Sequence, residues 1–382
     1  MPSHVCKLSK SLYGLKQSPR AWFLKLSTAL IDWGFTASQA DCSMFVYRSA
    51  TTMLILLVSV DDIIVTGSCS STIATLLRYL NTKFAVKDLG PLHSFLGLQV
   101  TRSSASLHLS QTKYVRDLLT KTGLLDSKPV STPLALTALS LHDGSPLPDA
   151  TAYRSLVGAL QYCTFTQPDI AFSVNKLCQF MHAHTTTHLQ AAKRVLRYLR
   201  GSTHLGLLIQ PDSTMHLHCY TDADWASCPD DRRSTSAYCI FLGTNLISWS
   251  SSKQKVVSRS STESEYRALA NGASELSWNE SLVAELGISL SSPPSMHCDN
   301  VSTLHLASNP VLHARTKHVE IDCHFVRERV RRNALSLVFT PSKEQLADCL
   351  TKPLVTSRFI DLRTKLTVLP SPLSLWGDVK PY

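Results

Sequence analysis

The sequence predicts an α+β and α/β multidomain protein whose second half forms a mixed five-stranded sheet with flanking helices. Its 382 residues are enough for two or three domains, each with its own core. A stretch that places four prolines among serines and leucines, residues 126–150, has the composition of a linker. After residue 215 the predicted order is three strands, helix, strand, helix, strand, helix, which is typical of helices packed on a mixed sheet.

Composition places the chain among globular, basic proteins. Hydrophobic residues make up 44% and charged residues 17%, so the chain is not of the disordered class. The net charge of +10 favours a polyanionic partner, although many basic proteins bind no nucleic acid. The 11 cysteines include no CxxC pair, which predicts neither a zinc framework nor a disulfide scaffold. Buried free thiols in a reducing compartment are the simpler interpretation.

Neither a membrane span nor a secretory signal is predicted. The longest apolar run, residues 53–60, is too short to cross a bilayer and stops at Asp61 and Asp62. Residues 1–19 lack the apolar core of a signal peptide. We therefore expect an intracellular protein, cytoplasmic or nuclear, without a membrane partner.

The first part of the chain predicts a hairpin between helices. Residues 19–33 suit a helix because Pro19 fits the first turn, and residues 53–67 suit a hairpin with Asp61 and Asp62 at its tip. Adjacent like charges make a poor tip, where Asn-Gly or Asp-Gly is preferred. The pair is either a solvated turn or a metal-binding tip, where a cation removes the repulsion. Also predicted are helices at 70–83 and 111–125 and strands at 95–100 and 107–109.

The later elements follow from periodicity. Predicted helices are 153–162, 169–181, 188–200, 261–286, 301–307 and 344–350, with a basic, partly helical stretch at 315–332. Predicted strands are 216–222, 236–242, 246–250, 296–298 and 335–339.

Two basic clusters are candidates for phosphate contact. Lys193, Arg197 and Arg200 share one face of a predicted helix, because they recur at helical spacing. Arg327 and Arg331 belong to a run of arginines that covers more than one helical face. Each cluster either contacts phosphates or is simply a solvated helix surface.

Four carboxylates on four separate elements are candidates for a metal site: Asp222, Glu265, Asp299 and Asp348. Asp222 and Asp299 each close a strand, so adjacent strands would place them side by side. Oxygen ligands suit Mg²⁺, and paired ions can clamp both oxygens of a phosphoryl displacement. Asp299 could instead cap the helix that follows it, and helical periodicity places Asp348 on a solvated face.

The long helix offers a choice between Glu263 and Glu265. Glu265 lies four residues before Leu269 of the apolar stripe, so it points to the packed side. Glu263 forms a capping box with Ser260, which explains it structurally. Thr262 with Glu265 also matches a box, so that alternative stays open. We favour Glu265 as the site residue.

Taken together, these motifs resemble the Pol polyprotein of copia-type LTR retrotransposons over nearly the whole chain. A chance match to one motif is easy, but a series in the family's order is not. The series is KSLYGLKQSPRAW, VDDIIVTG, FLGLQV, YRSLVGALQY, TDADWA, STESEYRALA, KHVEIDCHFVRE and QLADCLTKPL.

The resemblance implies five regions. They are a partial reverse-transcriptase palm without fingers at 1–100, a thumb start and linker at 101–150, a helical connection at 151–212, an RNase H-like domain at 213–355, and a C-terminal tail at 356–382. It further implies that Asp61 and Asp62 are the polymerase's catalytic, metal-binding pair. Residues implied to contact template and nucleotide are Tyr13, Gly14, Lys16, Gln17 and Arg20.

For the second half, the resemblance implies a ribonuclease H site. Asp222, Glu265, Asp299 and Asp348 match its four metal-binding positions, with Mg²⁺ or Mn²⁺ as cofactor. A metal-activated water would attack the scissile phosphate, and a second metal would steady the departing 3′ oxygen. The implied partners are RNA–DNA hybrid and primer–template, within a virus-like particle for the intact element.

Two departures from the family pattern concern the polymerase. The family has a third catalytic Asp upstream of KSLYGLKQ, before the point where this sequence starts, and a Tyr where this sequence has Ser59. We therefore expect little polymerase activity from this chain alone, and cleavage of the RNA strand of hybrids by its second half. The alternative is a non-catalytic remnant that binds nucleic acid.

Overall fold

The computed structural model describes Leu12 and residues 14–60, 62–309 and 320–372. The chain divides into two compact units. One comprises Met1–Leu92 and Trp278–Ile288, and the other comprises His93–Ser277 and Ser289–Tyr382. The predicted mixture of helices and several sheets is confirmed.

The first unit is a four-stranded antiparallel sheet with helices. Its elements are α1 (Ser18–Trp33), β1 (Thr36–Ala37), β2 (Met44–Arg48), β3 (Met53–Ser59), β4 (Asp62–Gly67) and α2 (Ser70–Lys83). The sheet order is β1-β2-β3-β4. Both predicted helices and the hairpin are confirmed, whereas β1 and β2 were not predicted.

The core of this unit follows from the pattern of its apolar residues. In β3, Leu54, Leu56 and Val58 alternate with more exposed residues, so they share the face that is buried. Leu26 and Leu30 of α1, four residues apart on one helical face, belong to the same core.

The second unit holds the remaining elements. In chain order they are β5 (Ser94–Phe95), β6 (Leu98–Arg102), β7 (Leu107–Ser110), α3 (Thr112–Lys121), α4 (Ala150–Cys163), α5 (Ala171–Cys178), α6 (Thr186–Ser202), β8 (Leu205–Ile209), β9 (Leu217–Asp224), β10 (Thr235–Leu242), β11 (Asn245–Lys253), α7 (Ser261–Glu285), β12 (Ser295–Cys298), α8 (Val301–Ser308), α9 (Glu320–Arg331), β13 (Ser336–Phe339), α10 (Thr356–Lys365) and β14 (Val368–Pro370). Helix α7 continues into the residues assigned to the first unit.

The predicted mixed sheet is confirmed, with strand order β11-β10-β9-β12-β13. The central strand β9 pairs antiparallel with β10 and parallel with β12, and β12 pairs parallel with β13. Cys219 and Met296 of this sheet share a core with Leu269, Ala273 and Leu276 of α7. The apolar stripe predicted for the long helix therefore does face the sheet.

A second sheet in this unit has the order β14-β8-β7-β6-β5. The predicted pairing of residues 107–109 with the preceding strand is confirmed. The single strand predicted at 95–100 is wrong, because the chain turns at Leu96 and Gly97, which have φ values of 47° and 73°. That turn separates β5 from β6. Strands β8 and β14 were not predicted.

Several helix predictions need correction. The helix at 111–125 ends at Lys121, and the one at 169–181 starts as a 3₁₀ turn, Pro168–Ile170, and ends at Cys178. The α-helix predicted at 344–350 is wrong, since two 3₁₀ segments form there, Ser342–Glu344 and Leu346–Leu350. Within 356–382, predicted as a tail, lie α10 and β14. None of the described helices is long and apolar enough to cross a bilayer.

Candidate metal centre

Asp222 lies on the central strand β9. The residue is buried, with 2% of its total surface exposed. The hydroxyl of Thr351 donates a hydrogen bond to Asp222 Oδ2. Because β9 is flanked by strands on both sides, the carboxylate has a fixed position at the end of the sheet.

Asp299 comes level with Asp222 because β9 and β12 are parallel. His297 is the partner of Tyr220, so two residues further along each strand Asp299 lies beside Asp222, as predicted. The alternative role of Asp299 as a helix cap is wrong. Asn300 caps α8 instead, accepting a 3.0 Å hydrogen bond from the Thr303 N–H. Asp299 accepts a 2.6 Å hydrogen bond from the Ser342 hydroxyl.

Glu265 points from α7 into the same region. Its side chain is buried, and one of its oxygens lies 4.0 Å from the Cys298 sulfur. One oxygen each from Glu265 and Asp299, together with that sulfur, lie within 4.8 Å of one another. Of the described residues, these three form a group close enough to hold one metal ion.

Glu263 has the structural role expected of it. Its N–H donates to the Ser260 hydroxyl oxygen at 3.2 Å, while its carboxylate accepts from the Arg259 N–H at 2.9 Å. It also pairs with Arg267 at 2.9 Å. These contacts keep Glu263 at the start of the helix and leave Glu265 for the site.

Asp348 is buried, with 7% exposed, so the solvated position expected from helical periodicity is wrong. The reason is that Leu346–Leu350 is 3₁₀, with three residues per turn, and its side chains therefore point in other directions. Lys352 Nζ lies 2.8 Å from Asp348 Oδ1 and 3.4 Å from Asp222 Oδ2. Arg358 Nη2 lies 3.8 Å from Asp348 Oδ2.

The electrostatics of these acids show mutual repulsion. Burial, with smaller contributions from Asp348 and Asp299, raises the pKa of Asp222 to about 6, against the opposing charge of Lys352. Burial and the charges of Asp222 and Asp299 raise the pKa of Glu265 to about 9. A nearby divalent cation would reverse this balance by stabilising the charged forms.

The donor set fits a hard divalent cation. Carboxylate oxygens are the ligands that Mg²⁺ and Mn²⁺ prefer, and burial restricts how the carboxylates can move. Four further residues near these acids were not predicted as site residues: Thr351, Lys352, Arg358 and Cys298. The spacing of four between Asp348 and Lys352 was the one signal that could have indicated an ion pair.

Of the predicted polymerase pair, Asp62 is exposed at the start of β4 and pairs with Ser59 across the hairpin. Asp61 lies outside the described residues. Val60, which follows Ser59 at the tip of the hairpin, has a φ of 51° and is 77% exposed. Of the predicted pair, the carboxylate of Asp62 is therefore accessible to solvent.

The residues predicted to contact template and nucleotide include Tyr13, which also lies outside the described residues. The others are exposed: Gly14, Lys16, Gln17 and Arg20. Their exposure leaves them accessible to a ligand and identifies none.

The first basic cluster is partly occupied by the proline-rich stretch. Arg197 Nε donates to the Lys128 carbonyl at 2.8 Å, and Arg200 Nε donates to the Leu125 carbonyl. Lys193 is exposed. The guanidinium groups of this face therefore bind the backbone at Leu125 and Lys128, where the proline-rich stretch begins.

The second basic cluster divides in a similar way. Arg327 is half-buried, and its Nε donates to the Leu306 carbonyl of α8 at 2.9 Å. Arg331, at the end of α9, is exposed. Arg331 is thus accessible to phosphate, whereas Arg327 connects two helices.

Comparisons with known proteins identify a family and several relatives. The family described as "Reverse transcriptase (RNA-dependent DNA polymerase)" matches residues 1–136. The chain is 49% identical over 374 residues to the Retrovirus-related Pol polyprotein from transposon RE1 of Arabidopsis thaliana, covering 98% of this chain and 26% of that relative. It is 32% identical over 269 residues to the Putative transposon Ty5-1 protein of Saccharomyces cerevisiae, covering 69% of this chain and 87% of that protein.

These matches define a retroelement protein of the reverse-transcriptase class. The chain belongs to the copia-type, retrovirus-related Pol polyproteins of transposons, and it spans about a quarter of the length of its RE1 relative. Among solved structures, the foamy viral protease-reverse transcriptase in complex with RNA/DNA hybrid aligns with 87% of this chain and 39% of its own, at 14% identity and a TM-score of 0.45.

Proposed function

We propose that the second unit cleaves the RNA strand of RNA–DNA hybrids by metal-dependent phosphodiester hydrolysis. The observation that carries the proposal is the convergence of three buried carboxylates and the half-buried Asp299, which come from separate elements around β9 and β12. Asp222, Glu265, Asp299 and Asp348 would hold Mg²⁺ or Mn²⁺. When bound, such ions supply activation of water and neutralisation of charge on the phosphate.

The chain's own residues prepare this site. The Thr351 hydroxyl and the parallel register of β9 and β12 fix Asp222 and Asp299, and the packed face of α7 fixes Glu265. Fixed carboxylates need little reorganisation when charge develops on a phosphate, which is how such sites accelerate a reaction. The burial of the group limits competing contacts with water.

The nucleic-acid partner and location are part of the same proposal. Membership of the Pol family, the net charge of +10 and exposed basic residues such as Lys193 and Arg331 support RNA–DNA hybrid and primer–template as partners. The proposed location is the cytoplasm or nucleus. For the first unit we propose little polymerase activity from this chain alone, because Ser59 replaces the family's tyrosine beside Asp62.

The test uses the full chain, an end-labelled RNA–DNA hybrid, and Mg²⁺ or Mn²⁺, with single-stranded RNA as the control substrate. Asp222→Asn and Asp299→Asn are expected to abolish cleavage. Asp117→Asn is the matched control, because Asp117 is an exposed acid of the same unit on α3. Circular dichroism and thermal melting verify that each variant is folded.

Cleavage confined to the hybrid, dependent on metal and lost in both site variants, supports the proposal. A folded chain that binds hybrid equally well with or without Mg²⁺, and never cuts it, contradicts the proposal. That result would leave the non-catalytic binding remnant as the function.

A further inference from the structure

The position of Lys352 has a consequence for how metal enters the site. Its ammonium group lies between two of the acids, 2.8 Å from Asp348 Oδ1 and 3.4 Å from Asp222 Oδ2. The shorter distance is that of a hydrogen-bonded ion pair, and the longer one is still within the 4 Å of a direct ion pair. A cation bridging the same two carboxylates would need to occupy the same space as the ammonium group.

The other half of the site is arranged differently. Glu265 and Asp299 have oxygens within 4.8 Å of each other, and neither is within 4.0 Å of a lysine or arginine nitrogen among the ion pairs of the described residues. The acids thus form two pairs. The Glu265–Asp299 pair is open to a metal cation, whereas the Asp222–Asp348 pair already has the positive charge of Lys352 beside it.

The charges lead to the same division. When a bound cation holds all four carboxylates in their charged forms, they carry four negative charges, and Lys352 and Arg358 supply two positive ones at 2.8–3.8 Å. The two charges left over match one divalent cation. A second divalent cation would overcompensate the site unless one of the basic side chains moved away.

Lys352 has the freedom to make that movement. Its side chain is 35% exposed, whereas those of Asp222 and Asp348 are 3% and 10% exposed. The carboxylates are held by the sheet and by Thr351, but the lysine is a flexible stem that reaches solvent. The lysine is therefore the partner that can leave.

We propose that Lys352 is a positioning residue that occupies a second cation position between Asp222 and Asp348, so that the site binds two divalent ions unequally and the second only as the lysine withdraws. This inference rests on the proposed function. It gives the site a resident counter-charge that keeps the two buried carboxylates together before metal arrives.

The first experiment measures Mn²⁺ binding to the full chain by the electron paramagnetic resonance signal of the free ion. Wild type is expected to bind one Mn²⁺ more tightly than a second. Lys352→Met is expected to tighten the second binding step by about tenfold or more and to leave the first nearly unchanged. Lys343→Met is the matched control, because Lys343 is an exposed lysine in the adjacent 3₁₀ segment.

The second experiment needs no variant and so does not depend on Lys352→Met being folded. Lysine acetylation of the wild type is followed by peptide mass spectrometry with and without saturating Mn²⁺. The amine of Lys352 is expected to react faster with Mn²⁺ present, and that of Lys343 to react equally in both conditions.

The outcomes separate the two proposals. An unchanged or weakened second step in Lys352→Met, or a Lys352 that stays equally protected with Mn²⁺, overturns the role of the lysine and leaves the proposed function standing. Absence of any Mn²⁺ binding by folded wild type, together with absence of hybrid cleavage, overturns both.

Discussion

Gly272 of α7 lies directly against Thr221 of β9, the residue before Asp222. A Cβ at position 272 would lie 2.7 Å from Thr221 Cγ2, 3.0 Å from Met296 Cε and 3.1 Å from the Cys219 sulfur. The absence of a side chain at Gly272 therefore permits the close approach of helix and sheet. That approach sets how far Glu265, on the same helix, stands from Asp222.

Gly272→Ala is expected to push α7 away from β9. Overpacking of this kind destabilises by about 1–3 kcal/mol, and here it also displaces Glu265 from the other acids. Chemical denaturation measures the first effect and hybrid cleavage the second. Gly158→Ala is the matched control, since a Cβ at that position of α4 meets no atom within 4 Å and should be neutral or slightly stabilising.

Glu265→Gln is expected to stabilise the metal-free chain while removing cleavage. Burial and the charges of Asp222 and Asp299 raise the pKa of Glu265 to about 9, so the metal-free chain must take up a proton to fold at neutral pH. A neutral side chain of the same shape removes this cost, which is ~1–3 kcal/mol. Glu263→Gln should instead destabilise, because it weakens the pair with Arg267. Urea unfolding in a chelator compares the two. A metal-free Glu265→Gln chain that is less stable than wild type would contradict the assignment.

His218 makes the stability of the mixed sheet sensitive to acid. Burial, with smaller effects from His297 and His216, lowers the pKa of His218 to about 4. The unfolded chain takes up that proton near pH ~6.5, so this contribution to stability is complete above ~6.5 and lost as the pH falls towards 4.

His218→Phe keeps the stacking on Phe241, whose ring lies 5.2 Å away, and removes the titrating group. The urea midpoint of the variant is expected to fall less than that of wild type between pH 7 and pH 4. Part of the remaining fall is expected from His297, whose pKa burial also lowers to about 4, and from other buried histidines such as His108 and His188, whose pKa is lowered by burial as well. Parallel curves for variant and wild type would show that His218 contributes nothing.

The two kinds of basic residue on α6 are expected to behave differently. Arg197→Ala should cost about 1–2 kcal/mol of stability, because its guanidinium donates to the Lys128 carbonyl. Lys193→Ala should leave stability unchanged. If Lys193 contacts a phosphate, the variant should reduce the slope of log K against log salt concentration for hybrid binding by about one. Fluorescence anisotropy at several salt concentrations, beside thermal melts, separates these effects. Equal salt slopes for Lys193→Ala and wild type would remove Lys193 from the interface.

Part of the candidate site follows from the sequence because it depends on local pattern. Asp222 comes near the end of β9 and Asp299 directly after β12, and parallel neighbours bring such positions together. Glu265 was separable from Glu263 because a capping box and an apolar stripe each have a fixed spacing. These signals need only a few consecutive residues.

The rest depends on contacts that short patterns do not contain. Asp348 is buried because it lies in a 3₁₀ segment, whose side chains do not follow the 3.6-residue period of an α-helix. Strand β14 is only Val368–Pro370 and pairs with β8, far away in the sequence. Helical spacing identified the face of Arg197 and Arg200, but it could not show that the segment 125–128 covers that face.

The mixed sheet is covered on both faces, and the two covers come from different parts of the chain. Cys239 and Phe241 of β10 share a core with Leu177, which precedes residue 213, and with Leu362, which follows residue 355. A protease that released residues 213–355 would therefore expose this apolar face of the sheet to water, and exposed apolar surfaces of this kind promote aggregation. A gene rearrangement that transfers only the segment 213–355 to another protein would leave one face of its sheet uncovered. The flanking helices would have to be transferred with it.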